Sequence, residues 1–318
     1  MTRVLLTGAS GFVGAAVQAR LLDDPGYAVR SVYRRLPLSP FAGLEVCQVQ
    51  GLEPHNDWQP ALEGVDVIIH CAARVHVMDE READPLEAFR RVNVRGTLRL
   101  AEQAAESGVR RFIYLSSIKV NGEGTLPGHP FSADDLPAPV DPYGISKLEA
   151  EQALLRLAAE MQMEVVIIRP VLVYGPGVKA NFRSMMAWLN RGAPLPLGTI
   201  TNKRSLVALD NLVDLIVTCI HHPCAANQVF LVSDDEDLST SELLRRMARA
   251  LGQPARLLPL PMWLLNVFAQ ILGKKAVSQR LCGSLQVDIN KTKTLLEWTP
   301  VISVNGALEK TAKDFLEH

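Results

Sequence analysis

The chain has 318 residues, of which 48% are hydrophobic and 21% charged, so it can bury the core of one large α/β unit or of a domain with an annex. Its net charge is -1, and no basic run with interleaved aromatic residues occurs, which argues against a nucleic-acid partner. Five cysteines without ligand-like spacing predict reduced thiols and no metal site, and "MTRVLLTGAS" lacks a signal-peptide pattern, so we expect a cytoplasmic protein.

Strand and helix patterns alternate through the first half of the chain, which is typical of a parallel sheet wound by helices. In chain order the pattern predicts a strand at RVLLT, a helix at VGAAVQARLLDD, strands at AVRSVY, LEVCQVQ and VDVIIHCAA, a helix at DPLEAFRRVNVRGTLRLAEQAAES, a strand at RRFIYLSS, a helix at PYGISKLEAEQALLRLAAEM and a strand at EVVIIRP. The predicted fold is therefore α/β, with a doubly wound, Rossmann-like parallel sheet.

The second half of the chain is less regular. Loops rich in Gly and Pro follow Pro170, and then come a helix at ALDNLVDLIVTCIHH, a strand at QVFLVS and a helix at STSELLRRMARALG. The apolar stretch 261–273 is shorter than the ~20 residues that span a bilayer, and it predicts a helix packed on its own domain rather than a membrane span. We expect a dinucleotide-binding domain at 1–174 and 206–234, interleaved with a smaller substrate-binding domain at 175–205 and 235–318.

A glycine-rich turn follows the first predicted strand. The sequence TGASGFVG places Gly8, Gly11 and Gly14 between that strand and the first helix. Glycines there let the backbone approach a pyrophosphate, and the start of the helix supplies N–H groups and the positive end of its dipole. The order of strand, turn and helix predicts dinucleotide binding.

Two arginines follow the second predicted strand. Proteins that prefer NAD place an acidic residue there for the ribose hydroxyls, whereas this chain has Tyr33, Arg34 and Arg35. Guanidinium groups pair bidentately with phosphate oxygens, so the pattern predicts that NADP(H) is preferred, with NAD(H) possible. The alternative is that both arginines are ordinary solvated surface residues.

A possible proton-transfer group lies on the helix that contains YGISK. Tyr143 and Lys147 are four residues apart and therefore share one helix face. An ammonium group near a tyrosine favours the phenolate, so we expect Lys147 to lower the Tyr143 pKa from its usual value of about 10. Ser117 ends a predicted strand, where it could hold a substrate oxygen, and Asn93 lies within a predicted helix.

Taken together, TGASGFVG, HCAA, NVRGT, LSS, YGISK and RPVLVYGPG resemble, in order and spacing, the extended short-chain dehydrogenase/reductase family of nucleotide-sugar epimerases, dehydratases and reductases. The resemblance implies a catalytic set of Ser117, Tyr143 and Lys147 supported by Asn93, a UDP-sugar substrate and a homodimer. The implied cofactor residues are Thr7, Gly8, Ser10, Gly11, Phe12, Val13, Gly14, Tyr33, Arg34, Arg35, Cys71, Ala72, Ala73, Asn93, Tyr143, Lys147 and Pro170. The implied substrate residues are Ser117, Lys119, Lys179, Asn181, Arg204 and Arg280.

Departures from the family pattern suggest which reaction is catalysed. Sugar dehydratases carry an Asp-Glu pair where this chain has Ile118 and Lys119, and neither side chain can replace that acid and base at neutral pH. Asn121 replaces a tyrosine, and Leu172 replaces an asparagine that touches the sugar in many members, which favours a less hydroxylated sugar.

Longer phrases, among them HCAARVHVMD and SSIKVNGE, resemble the branch that reduces a UDP-linked 2-acetamido-2,6-dideoxy-4-keto-hexose for bacterial surface polysaccharide, including the O-antigen of lipopolysaccharide. We therefore predict a 4-keto reductase that uses NADPH. The alternatives are a UDP-hexose 4-epimerase that retains NAD, and a non-catalytic dinucleotide sensor.

Overall fold

A computed structural model describes residues 1–37, 43–75, 84–126, 128–261, 264 and 281–318. The strands in these ranges are β1 (Thr2–Thr7), β2 (Tyr27–Tyr33), β3 (Leu44–Gln48), β4 (Val67–His70), β5 (Arg111–Leu115), β6 (Glu164–Pro170), β7 (Leu172–Tyr174), β8 (Arg204–Ala208), β9 (Gln228–Val232) and β10 (Asp237–Leu238). The α-helices are α1 (Phe12–Leu22), α2 (Gln59–Leu62), α3 (Pro85–Phe89), α4 (Thr97–Glu106), α5 (Pro142–Glu160), α6 (Ala180–Asn190), α7 (Leu209–His221), α8 (Thr240–Ala250), α9 (Asn290–Leu296) and α10 (Val304–Glu317).

The main sheet has seven strands in the order β3-β2-β1-β4-β5-β6-β9, and every adjacent pair is parallel. The chain runs outward from β1 to β3 and then returns to place β4 on the other side of β1. Ligands of such sheets bind beyond the carboxyl ends of the strands, next to this reversal. The predicted Rossmann-like α/β fold is confirmed.

Two hydrophobic cores cover the two faces of this sheet, as the alternation of side chains along a strand requires. In β1, Val4 and Leu6 belong to the core that includes α1 and α7. Leu5 points to the opposite core, which α2, α4 and α5 cover. Because both faces are covered, the strands are nearly continuous runs of apolar residues, which is why the sequence pattern identified them.

A second sheet has three strands in the order β10-β8-β7, and a third core lies among α6, α8 and α10. Sequence analysis missed β7, β8 and α6, because the strands are short and α6 lies between segments rich in Gly and Pro. It also missed α9 and α10, whereas α7, β9 and α8 lie where predicted.

Two boundaries differ from the predictions. The fourth predicted strand ends at His70, so 71–73 leave the sheet and lie at its carboxyl edge. The long helix predicted from Asp84 is interrupted by a π-helical segment, Arg90–Gly96, between α3 and α4.

No helix within the described ranges is long and apolar enough to cross a bilayer. Most of the stretch 261–273, for which a packed helix was predicted, lies outside the described residues.

Candidate active site

The glycine turn lies where β1 ends and α1 begins. Gly8 has φ +77° and packs so closely on the next strand connection that a Cβ would lie 2.7 Å from the Ala72 nitrogen. A Cβ on Gly14 would lie 2.1 Å from the Gly8 carbonyl oxygen. Gly11 is the N-cap of α1 and no side chain caps this helix, so backbone N–H groups of its first turn remain for an anion. These residues fit the pyrophosphate of a dinucleotide.

The three cofactor residues predicted at the end of β2 lie in different environments. Tyr33 is buried, and its hydroxyl donates to Gln18 Oε1 of α1 at 2.7 Å. Its side chain is therefore part of the core rather than of a ribose site. Arg34 and Arg35 are exposed.

A buried histidine supports the turn from beneath. His70 Nδ1 lies 2.8 Å from Thr7 Oγ1, and His70 Nε2 lies 3.0 Å from Thr97 Oγ1. Burial, followed by the charge of Lys147, lowers the pKa of His70 to about 3, so this ring is neutral at physiological pH. Thr7 thus binds within the protein, and Cys71, Ala72 and Ala73, the other predicted cofactor residues beside it, are partly exposed after β4.

Two elements bring the predicted catalytic residues together at the carboxyl edge of the sheet. Ser117 follows β5, and Tyr143 and Lys147 lie in the first two turns of α5. The Ser117 side chain lies close enough to Tyr143 to lower its pKa, and Lys147 Nζ donates to the Leu115 carbonyl oxygen at 2.7 Å. The set can therefore move a proton to or from a substrate oxygen held beside Ser117.

The electrostatics of this set differ from the prediction. Burial, followed by the charge of Asp141, raises the pKa of Tyr143 to about 12, although the nearby Ser117 side chain lowers it. Burial also lowers the pKa of Lys147 to about 7, against the charges of Glu151 and Cys71. Lys147 does not lower the Tyr143 pKa as expected, because burial makes the protonated form of Lys147 itself less favourable.

Asn93 projects from the π-helical segment and is 1% exposed. Its side-chain oxygen accepts from the Arg74 N–H at 2.7 Å, and its amide nitrogen donates to the Arg74 carbonyl and to Ser146 Oγ, both at 3.0 Å. Asn93 therefore fixes the loop after β4 against α5, which is consistent with the supporting role predicted for it.

A buried polar network behind Lys147 was missed by sequence analysis. Arg169 of β6 forms a bidentate ion pair with Glu151, at 2.6 Å for the closest contact. Ser116 Oγ donates to Glu151, and Arg169 also donates to Asn121 Oδ1 at 3.0 Å. Glu151 lies one helical turn after Lys147, a spacing that could have revealed it. Asn121 is thus held in the interior, not in a sugar pocket as its position in the motif suggested.

The predicted substrate residues come from scattered elements. Lys179 and Asn181 lie exposed at the start of α6. Arg204 begins β8, where burial lowers its pKa, and it donates to the Gly283 carbonyl at 3.1 Å. Arg280 lies outside the described residues.

Two other predicted residues have structural partners. The Lys119 ammonium binds Glu123 and Asp141. Pro170 is buried at the end of β6, beneath the site.

Comparisons with known proteins agree with this geometry. The model of a family described as "NAD dependent epimerase/dehydratase family" matches residues 4–232. A UDP-glucose 4-epimerase of Vibrio cholerae is 52% identical over 99% of this chain and 95% of its own length. The solved structure of MoeE5 in complex with UDP-glucuronic acid and NAD has a TM-score of 0.79 at 25% identity and covers 99% of both chains. A UDP-glucuronic acid 4-epimerase of Bacillus cereus, solved with NAD, shares the fold, with a TM-score of 0.80 at 21% identity and 99% coverage of both chains.

These comparisons contradict the predicted 4-keto reductase, because the 52% identical relative and the solved neighbour from Bacillus cereus are named as 4-epimerases. Ser117, Tyr143 and Lys147 could not separate the two reactions, since both move a hydride and a proton at one carbon–oxygen bond. The preference for NADP predicted from Arg34 and Arg35 gains no support, because both solved neighbours contain NAD. With a family model matched over most of its length and a relative at 52% identity, the chain belongs to the NAD dependent epimerase/dehydratase family and is an NAD-dependent enzyme.

Proposed function

We propose that the chain is a UDP-hexose 4-epimerase that retains its dinucleotide. The observation that carries this proposal is the placement of Ser117 near Tyr143 and buried Lys147, with Ile118 and Lys119 where a dehydratase needs an acid and a base. One proton-transfer group suits reversible oxidation at a single carbon. The 52% identity with a UDP-glucose 4-epimerase supports the same reaction.

In the proposed reaction the Tyr143 phenol first loses its own proton, which the neutral form of Lys147 can accept. The Tyr143 phenolate then takes the proton of the sugar 4-hydroxyl, and it returns that proton after the 4-keto sugar has presented its other face. Ser117 Oγ orients the sugar oxygen, and protonated Lys147 stabilises the phenolate through its positive charge. NAD, when bound, supplies the hydride acceptor for the first half of the cycle and the hydride donor for the second.

The proposed cofactor site runs along the carboxyl edge of the sheet. The first turn of α1 holds the pyrophosphate, the backbone of 71–73 lines the adjoining cleft, and Lys147 reaches the nicotinamide ribose. We propose NAD as the resident cofactor, since the named neighbours contain it. The preference for NADP, predicted from Arg34 and Arg35, stays a separate prediction. Identifying the dinucleotide that the denatured protein releases tests it.

We propose that the nucleotide sugar lies between the main sheet and the segments 175–205, 235–261 and 281–318. Lys179 and Asn181, at the start of α6, and Arg204 are the proposed contacts to the diphosphate. Leu172 is 50% exposed, and an apolar group there suits the sugar's less polar edge.

Three further features are part of the proposal. Half-buried Leu148 on α5 suits packing against a second copy in a homodimer. The cysteines suit a reducing compartment such as the cytoplasm. Surface-polysaccharide assembly, including O-antigen of lipopolysaccharide, is a fitting use of epimerised UDP-sugars, since such sugars are glycosyl donors.

The test is to incubate the purified protein with UDP-glucose, without added cofactor, and to separate UDP-glucose from UDP-galactose by chromatography. We expect interconversion to an equilibrium mixture from either side, with no net change in reduced-nicotinamide absorbance. Denaturing the protein should release about one dinucleotide per chain.

UDP-N-acetylglucosamine in the same assay distinguishes a hexosamine epimerase from a hexose epimerase. A protein that releases dinucleotide on denaturation but interconverts neither sugar would be a sensor, and the proposed function would be wrong.

A further inference from the structure

An ion pair links the Ser117 turn to the first turn of α5. Lys119 Nζ lies 2.7 Å from a Glu123 carboxylate oxygen and also binds Asp141, and its side chain is 32% exposed against 23% for Asp141. The other oxygen of Asp141 accepts the Gly144 N–H at 2.6 Å and caps the helix. One carboxylate thus joins Lys119 to the helix that carries Tyr143.

The backbone of Lys119 reinforces this link. Its N–H donates to Ser117 Oγ at 3.3 Å. Its carbonyl oxygen lies so close to α5 that a Cβ on Gly144 would be 2.8 Å from it. Lys119 therefore contacts Ser117 on one side and, on the other, Asp141 and Gly144, the residues that flank Tyr143 at the start of α5.

The charge of Asp141 opposes ionisation of the catalytic tyrosine. Asp141 lies two residues before Tyr143, and its charge raises the Tyr143 pKa. A helix gains from an acidic N-cap, so Asp141 stabilises α5 while making the phenolate less favourable. An ammonium group bound to the same carboxylate offsets the unfavourable effect of Asp141 on the phenolate, while Asp141 still caps α5.

We propose that Lys119 is a positioning residue that acts on Tyr143 through Asp141: it holds the Ser117 turn against α5 and neutralises the carboxylate beside Tyr143. The proposal deepens the proposed function and rests on Tyr143 as its proton-transfer group. It gives a role to the Lys119 ammonium, which occupies a position where sugar dehydratases have an acidic residue.

The other charged and titratable groups around Tyr143 lie on different elements. Lys147 is on α5 itself and Tyr114 is on β5, where its own pKa responds to Tyr143. From α3, the Phe89 ring lies 6.0 Å from the Tyr143 ring, and the Arg74 guanidinium lies 5.7 Å from the Phe89 ring. None of these groups changes when Lys119 is replaced, so a shift in the pH profile would report on the Lys119–Asp141 pair.

The test compares Lys119→Met, Lys119→Arg, Asp141→Asn and the double variant Lys119→Met/Asp141→Asn, all as dinucleotide-loaded protein. Asn caps a helix as well as Asp does, so Asp141→Asn removes the charge and keeps the cap. The first readout is the pH dependence of kcat/KM for UDP-glucose. The second is a ¹³C NMR titration of the five tyrosines, with the Tyr143 signal assigned by its loss in Tyr143→Phe.

We expect Lys119→Met to lose about three- to tenfold in kcat/KM at pH 7, a shift of about 0.5–1 pH unit that higher pH restores. Lys119→Arg should retain the wild-type profile. Asp141→Asn should shift the profile, and the Tyr143 titration, to lower pH, and the double variant should follow Asp141→Asn rather than Lys119→Met.

Two results would overturn the proposal. If Lys119→Met left the pH profile and the tyrosine titration unshifted and raised only KM, Lys119 would be a substrate ligand. If both single variants lost activity equally at every pH, the pair would be only a structural clamp. The titration needs no turnover, so it decides the proposal even if UDP-glucose proves not to be the substrate.

Discussion

Tyr143 and Lys147 are both buried, and this sets how the site can work. Burial raises the tyrosine pKa to about 12 and lowers the lysine pKa to about 7. Near neutral pH the tyrosine is therefore a phenol, whereas the lysine can both bind and release a proton. A phenolate forms at Tyr143 only when another group takes its proton.

Replacing Tyr143 by Phe removes the proton-transfer group and leaves the glycine turn intact. We expect kcat for UDP-sugar interconversion to fall about 10²- to 10⁴-fold, with unchanged dinucleotide content on denaturation. Tyr27→Phe is the matched control, because Tyr27 stacks on His221, outside the site. A Tyr143→Phe variant within a few-fold of wild-type turnover would remove Tyr143 from the chemistry.

At the scale of elements, the β1–α1 connection depends on one close contact between two backbone segments. A methyl group at residue 14 would lie 2.1 Å from the Gly8 carbonyl oxygen, so Gly14→Ala must move the helix away from the turn. We expect a loss of about 1–3 kcal/mol in the free energy of unfolding, together with loss of retained dinucleotide, measured by urea denaturation and by release on heating.

Gly306→Ala is the control for that substitution. It lies in the first turn of α10, where a Cβ would meet only flexible Ile302 side-chain atoms at 3.2 Å or more and the Ser303 hydroxyl. Ala favours a helix over Gly by about 1 kcal/mol, so Gly306→Ala should not lose stability. A loss similar to that of Gly14→Ala would show that the contact with Gly8 is not responsible.

Sequence patterns predicted the strands and helices with regularly spaced apolar residues and missed the elements without such a pattern. The buried strands of the main sheet and helices α1, α5, α7 and α8 lie close to their predicted positions, since apolar runs and helical spacing mark them. Strands as short as β7 leave no such pattern. The π-helical segment was predicted as part of an ordinary α-helix, because the spacing of its side chains is nearly that of an α-helix.

At the scale of the whole molecule, His70 couples stability to pH. Its pKa is lowered to about 3 by burial, whereas an unfolded histidine titrates near 6.5. Above pH 6.5 neither state is protonated and the residue contributes no pH dependence. Below it the unfolded chain binds a proton that the folded chain refuses, so stability falls with pH down to about 3.

We therefore expect the wild-type chain to lose about 2 kcal/mol of unfolding free energy between pH 7 and pH 5 through His70, measured by urea denaturation at each pH. His70→Gln should flatten this slope. His129→Gln, at an exposed position, should leave it unchanged. Equal slopes in all three proteins would mean that other groups govern the acid response.

The candidate catalytic residues could be proposed from the sequence, because each follows a strand or lies on a helix whose end the pattern marks. The type of reaction could not be predicted correctly, because Ser117, Tyr143 and Lys147 fit both a reductase and an epimerase. The preference for NADP predicted from Arg34 and Arg35 gains no support from the solved neighbours. Sequence alone cannot decide it, because a guanidinium on the surface and one facing a phosphate look alike there.

The π-helical segment 90–96 has a consequence for which changes this enzyme can accept. Each residue of a helix advances the chain by about 100° around the axis, so loss of one residue before Asn93 would turn its amide away from Arg74 and Ser146 or force α4 to rotate off the sheet. Substitutions on the outer side leave this register unchanged. The segment therefore tolerates substitutions on its outer side but not insertions or deletions. A homologue one residue shorter here would need another way to hold the loop after β4.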